Sequence, residues 1–411
     1  MKKVLSTVAA FGLIAGLATT ASAVEFKMSG SYVVEGYYLS NPTYLGNDSS
    51  DALYQHTFKV LPVMKVNDKI SMFGDIRLAD DTMWGNTTDT VTTDGGNVDI
   101  HKLYMEYASP IGKWRMGRVS TGMWEGNFLN GDDHGNRIMW WPSFLSKPWS
   151  AVLFTQKITE NEYGVVADDQ DIDMYEIGIA HTTDAGKTSI KWDQYSNGSL
   201  DTDYYVIQAF AKYGFGNWGF EAEYGHKGGE ATTTRDFDAN AFMLNLTAKA
   251  DALSGGVMYF FASGDDDTTA GDAENYMSTA SMLTGGTGDQ FQPLYIMTGY
   301  MAGMLNPHCG TNTSMADDGV HAVLLHGDYK VSDKFSVHAA LGYGQADEET
   351  AGYEDDYGWE FNLGGAYKLL DNLTYEAHFG YLDAGDYFQY GVNTADVDNV
   401  TLLSHHLTMT F

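Results

Sequence analysis

Residues 359–381 read WEFNLGGAYKLLDNLTYEAHFGY. Trp359, Phe361, Leu363 and Tyr367 stand on one parity, with Glu360, Asn362, Gly364 and Lys368 on the other. After Leu370-Asp371-Asn372 the pattern resumes, with Leu373, Tyr375, Ala377, Phe379 and Tyr381 set against Thr374, Glu376, His378 and Gly380. A period of two places the two sets on opposite faces of a β-strand. A short polar turn between two such runs makes a hairpin.

The same alternation runs through the chain. Phe26, Met28, Tyr32 and Val34 stand against Lys27, Ser29, Ser31 and Val33. Trp218, Phe220, Ala222 and Tyr224 stand against Glu221, Glu223 and Gly225, and Phe242, Leu244, Leu246 and Ala248 against Met243, Asn245, Thr247 and Lys249. Phe335, Val337, Ala339, Leu341 and Tyr343 face away from Ser336, His338, Ala340, Gly342 and Gly344. The last run sets Leu403, Leu407, Met409 and Phe411 against Ser404, His406, Thr408 and Thr410.

A soluble sandwich would also alternate, with its apolar face inward. Two features point instead to a transmembrane antiparallel up-and-down β-barrel: connections that alternate short and long, and aromatic residues near strand ends. The short turns fall at Asn67-Asp68-Lys69, Ser109 to Gly112, Ser143 to Lys147, Asp184 to Lys187, Phe215-Gly216-Asn217, Asp251-Ala252-Leu253, Ser332-Asp333-Lys334 and Leu370-Asp371-Asn372. Eight turns, with both termini on the turn side, give 18 strands; the irregular stretch 137–159 leaves 16 as the alternative. Residues 24–411 then form a single barrel domain. A wall of that size encloses a lumen too wide for side chains to fill, so its polar face lines water.

The first 23 residues read as an export leader. Lys2 and Lys3 precede an apolar core from Val8 to Ala18, and Ala21-Ser22-Ala23 fits a small-x-small cleavage site. The core is too short to span a bilayer as a helix. Of the 411 residues, 55 are acidic and 23 are Lys or Arg, a formal charge of −32. That charge argues against nucleic acid as a partner. One cysteine, Cys309, leaves no disulfide framework and no cysteine-based metal cluster. There is no Gly-x-Ser-x-Gly, His-Glu-x-x-His or Walker loop, so the reading includes neither an enzyme nor a cofactor.

The terminal Phe411, the run Lys113-Trp114-Arg115-Met116-Gly117-Arg118 with an acidic, Gly-rich stretch after it, and Arg137 beyond that stretch resemble the Gram-negative general diffusion porins. The resemblance implies a homotrimer in the outer membrane, in contact with the lipid bilayer and lipopolysaccharide. Barrels of that family usually have 16 strands; a count of 18 fits the sugar-specific porins or the substrate-specific porins of pseudomonads better. It also implies that the third loop, 120–136, folds into the lumen. Glu125, Asp132 and Asp133 would then form an acidic side facing Arg77, Arg115, Arg118 and Arg137. Opposed charges across a narrow aqueous gap create a strong transverse field. Arg115 and Arg118 differ in parity, so both face inward only if Gly117 marks a bulge. In the plainer alternative the loop lies outside as a solvated lid.

Acid runs such as Asp265-Asp266-Asp267, Asp347-Glu348-Glu349 and Asp355-Asp356 fall in the expected external loops. They act as solvated surface or as a negative vestibule that favours cations. The longest connection, 264–318, is expected to be an external loop that caps the mouth, plugs the lumen or latches onto a neighbouring subunit, with a short helix or hairpin over Phe291 to Leu305. His338, His378 and His406 share the inward parity, but sequence alone does not align their heights. The expected function is a water-filled channel for passive diffusion of ions and small hydrophilic solutes, with cations preferred. The alternatives are a substrate-specific channel for a sugar or organic solute, and a plugged structural or adhesive surface barrel.

Overall fold

The computed structural model describes residues 24–41, 50–84, 98–120, 126–129, 134–160, 170–266, 271–276, 291, 293–298, 318–349, 354–389 and 397–411. The expected leader, residues 1–23, lies outside the described residues. The strands are β1 (Glu25–Ser40), β2 (Ser50–Lys65), β3 (Ile70–Met83), β4 (Val98–Ser109), β5 (Gly112–Ser120), β6 (His134–Pro142), β7 (Trp149–Thr159), β8 (Ile172–Thr182) and β9 (Gly186–Asn197). They continue as β10 (Thr202–Phe215), β11 (Trp218–Thr232), β12 (Arg235–Ala250), β13 (Leu253–Ala262), β14 (Val320–Lys330), β15 (Phe335–Gln345), β16 (Asp356–Leu370), β17 (Leu373–Ala384) and β18 (Val400–Thr410).

Each strand pairs antiparallel with its neighbours in sequence, and β1 pairs with β18 to close an 18-stranded barrel. Closure removes both sheet edges, so every strand finds a partner on each side. At the seam the backbone N–H of Gly30 donates to Phe411 O over 3.0 Å and that of Phe411 to Gly30 O over 3.1 Å. The Phe411 ring stacks on Phe58 at 5.9 Å.

All eight expected short turns fall between the assigned strands, and the irregular stretch 137–159 resolves as β6, a turn and β7. The alternation of short and long connections is incomplete. Residues 198–201 and 233–234 are tight links on the long-loop side, because β10, β11 and β12 are themselves long strands.

The parity read from the sequence is the parity of the wall. Trp359 (53% exposed), Phe361 (40%) and Leu363 (43%) face out, while Glu360 (0%) and Asn362 (1%) face in and are buried. Trp218, Leu246, Leu341 and Leu403 are likewise exposed on the outside. A continuous apolar outer face of this kind is satisfied by lipid, not by water.

The inner face is not uniformly wet. On β12 to β18 and β1, the inward residues near the long-loop ends are buried, whereas those near the turns are partly open. Leu39, Met243, Phe260, Leu324, Tyr357, Leu382 and Leu402 form one apolar cluster there with Phe128 and with Phe291 and Leu294–Met297. Tyr387 and Phe388 of the 3-10 turn Asp386–Gln389 join it. Segments between strands thus pack against an apolar arc inside the wall.

Candidate functional site

Two inward carboxylates organise the buried half of the lumen. Glu223 on β11 accepts the backbone N–H of Phe128 and of Leu129, each at 2.9 Å. Glu360 on β16 accepts those of Ile296 at 2.8 Å and Met297 at 2.7 Å. A carboxylate has two acceptor oxygens and no donor, so it matches two consecutive N–H groups. Each glutamate therefore fixes a short stretch of a connecting segment against the inner wall. Phe128 also packs 5.0 Å from Phe291, so the two stretches touch each other.

The expected constriction residues fall into three groups. Glu125, Asp132 and Asp133 lie outside the described residues, as do 121–124, 130 and 131. Arg77 and Arg115 face the lumen, but each is paired along the wall. Arg77 Nη1 lies 3.2 Å from Asp80 Oδ2, with Asp75 also near, and Lys59 reaches Asp75 at 3.1 Å. Arg115 Nε donates to Glu106 over 2.9 Å, and its guanidinium lies 5.0 Å from the centre of the Trp141 ring.

Arg118 and Arg137 make the third group. The register of β5 runs through Gly117 without a shift on either side, although Gly117 has φ of +129°. Arg118 therefore keeps the outward parity, opposite Leu103 and Asn136, and its Nε donates to His101 O over 3.2 Å. Arg137 has inward parity but is only 2% exposed. Its Nη1 donates to Val119 O over 2.7 Å, and its guanidinium lies 5.3 Å from the centre of the Phe154 ring.

Sequence reading passed over other polar groups of the lumen. Lys191 on β9 lies 3.1 Å from Asp193 and 3.4 Å from Glu176, and all three are buried. Their inward parity was visible, but their burial depends on what covers them. Near the turns a cavity of about 600 Å³ is lined by Lys212, Glu221, Asn245, Thr247, His326 and Asp328 among others. It forms a mixed-charge, open end of the lumen.

Two further clusters combine groups able to hold a cation. Asp265, Asp266 and Glu274 lie close together beyond β13, with Asp265 paired to Arg235 at 3.0 Å. Burial and the neighbouring carboxylates Asp266 and Asp265 raise the Glu274 carboxyl above its ordinary value. Burial, with Asp347 and Asp266, does the same to Glu348. The second cluster is Glu376, His378 and His406, on the inward faces of β17 and β18.

No family model matches the sequence, and no curated protein matches it. Solved structures match its fold. The structure of OccK9 (OpdG) from Pseudomonas aeruginosa aligns with a TM-score of 0.57 at 13% identity, over 94% of this chain and 99% of that one. OccAB4 of Acinetobacter baumannii gives 0.57 at 12% identity, over 94% and 98% of the two chains. A BenF-like porin from Pseudomonas fluorescens Pf-5 gives 0.57 at 12%, over 93% and 98%. At these identities the likeness is one of fold: the whole barrel is shared.

Proposed function

We propose that this protein is an outer-membrane porin of a Gram-negative cell, exported by the leader 1–23 and assembled as a homotrimer. In this reading it passes ions and small hydrophilic solutes down their gradients and prefers cations. The observation that carries the reading is the closed 18-stranded wall, apolar outside, with ion pairs and an open mixed-charge cavity inside. Charged groups on the inner face of a wide barrel are satisfied by water and by passing solutes. A fold neighbour is named a porin, which supports the same assignment. Movement is passive, so the protein's contribution is size exclusion and electrostatics.

In the same reading residues 126–129 of the third loop and 293–298 of the insert, held inside the wall, set the narrowest section. The backbone grips of Glu223 and Glu360 on Phe128, Leu129, Ile296 and Met297 support this. Such narrowing favours discrimination among solutes over free passage.

The apolar packing of Leu294–Met297 against the inner wall also favours a second reading, a barrel whose mouth is sealed by its own insert. Single-channel current in a planar bilayer separates the two. Ohmic steps in KCl, and block by one sugar or organic acid in a tested series, are expected of the discriminating channel. Folded, heat-modifiable protein that gives no conductance would discard the channel and leave the sealed barrel.

A further inference from the structure

We propose that Glu376, His378 and His406 form a binding site for a late first-row divalent cation of the Zn²⁺ class on the lumen wall. One donor atom from each of the three lies within 4.8 Å of the others. A tetrahedral shell with bonds of about 2.0–2.2 Å sets donors roughly 3.5 Å apart, so small side-chain rotations close it. The strand register explains the meeting, which the sequence alone does not reveal. Glu376 on β17 stands directly opposite His406 on β18, and His378 stands opposite Ser404, one inward position along. The His378 and His406 rings lie 5.2 Å apart.

Two neighbours give the cluster the features of a built site. On β1, Glu35 stands opposite His406, and its carboxylate lies 3.3 Å from His406 Nδ1. Gln55 donates to the other oxygen of Glu35 over 2.9 Å and holds it in place. A carboxylate on one ring nitrogen fixes the tautomer and orients the other nitrogen toward a metal. On the other side, Gly364 of β16 lies between His338 and His378, where a β-carbon would collide with His338 Nε2 and His378 Nδ1. The glycine lets the two rings meet across the strand, at 5.3 Å.

The donor set selects the ion. Two imidazoles with one carboxylate suit Zn²⁺, Ni²⁺ or Cu²⁺, whereas Ca²⁺ and Mg²⁺ take oxygen shells. Tyr295 connects the site to the insert. Its hydroxyl lies 3.0 Å from His378 Nδ1 and touches His338 Nε2. An occupied site would therefore sit beside the stretch that Glu360 grips. The site stands independently of conduction, because binding is read on the folded protein alone.

The test is calorimetric titration of untagged, detergent-folded protein with ZnCl2, and with CaCl2 in parallel. One saturable Zn²⁺ site per chain is expected, with Ca²⁺ giving no comparable site. His378→Ala and His406→Ala should each weaken it at least tenfold, and Glu35→Gln, a positioning change, about tenfold. His321→Ala, away from the cluster, should leave it unchanged. Co²⁺ provides a second readout that does not depend on the variants. Intense visible absorption of a four-coordinate ion with nitrogen ligands is expected from the wild-type protein. Folded wild-type protein without saturable Zn²⁺ binding would overturn the proposal. So would binding that survives both histidine substitutions, or a Co²⁺ spectrum of an all-oxygen octahedral shell.

Discussion

Glu360 shows at the scale of one residue what an inward polar position in a barrel can do. It is 0% exposed, and both of its oxygens accept backbone N–H groups from the insert. Each hydrogen bond to a charged group is worth about 1.5–3 kcal/mol, and a buried donor left unmet adds its own cost. Glu360→Ala should therefore weaken docking of the Leu294–Met297 stretch by about 3 kcal/mol or more. Glu360→Gln should fail as well, despite its shape, because an amide has one acceptor oxygen and turns an NH2 toward the second donor. Limited proteolysis within 293–298 should be faster in both variants, while heat-modifiable mobility still reports a closed barrel. Cleavage at the wild-type rate in both would show that the carboxylate does not hold the insert.

The elements that were legible are those whose signal is local. Alternation in 359–381 gave β16 and β17 with their faces assigned correctly, because a strand's two faces follow from its own sequence. Seven of the eight tight turns likewise carry Gly, Asp, Asn or Pro within a few residues, Ser143 to Lys147 being the exception. The glutamate grips were not legible, since nothing near Glu223 or Glu360 names the distant segment that reaches it. Arg137 was expected at the pore wall by resemblance alone, and its burial against Val119 O and Phe154 was not legible, because those partners come from the neighbouring strands β5 and β7 through the register. The loop carboxylates beyond β13 and β15 give an element-scale prediction through their titration. Glu274 and Glu348 are raised above the ordinary value of 4.5, so the docked segment binds protons more readily than a released one. Their contribution to docking is full below that ordinary value and is lost as pH rises through the raised value. Amide protection factors over 263–266 and 271–276, corrected for intrinsic exchange, should then be higher at pH 5 than at pH 8. The double change Glu274→Gln with Glu348→Gln should flatten the difference; higher protection at pH 8 in the wild-type protein would reverse the sign and reject the account.

For the whole molecule the governing quantity is charge. The chain carries 55 acidic side chains against 23 Lys and Arg. Several of the basic groups facing the lumen are already matched on the wall: Lys59 by Asp75, Arg115 by Glu106, and Lys191 by Asp193 and Glu176. Those pairs cancel at short range and leave the acidic excess to set the long-range potential. A potential built from many dispersed charges concentrates cations near the mouth, and it weakens as salt shortens its reach from about 10 Å at 0.1 M to about 3 Å at 1 M. The reversal potential under a KCl gradient should therefore report K⁺ preferred over Cl⁻ at 0.1 M, with the permeability ratio falling toward one at 1 M. Preference for Cl⁻ would mean that the matched basic groups, not the acidic excess, face the path of the ions. A cation preference that stays constant from 0.1 M to 1 M would place selectivity at a desolvated local site, since charges in close contact with an ion are little screened by salt.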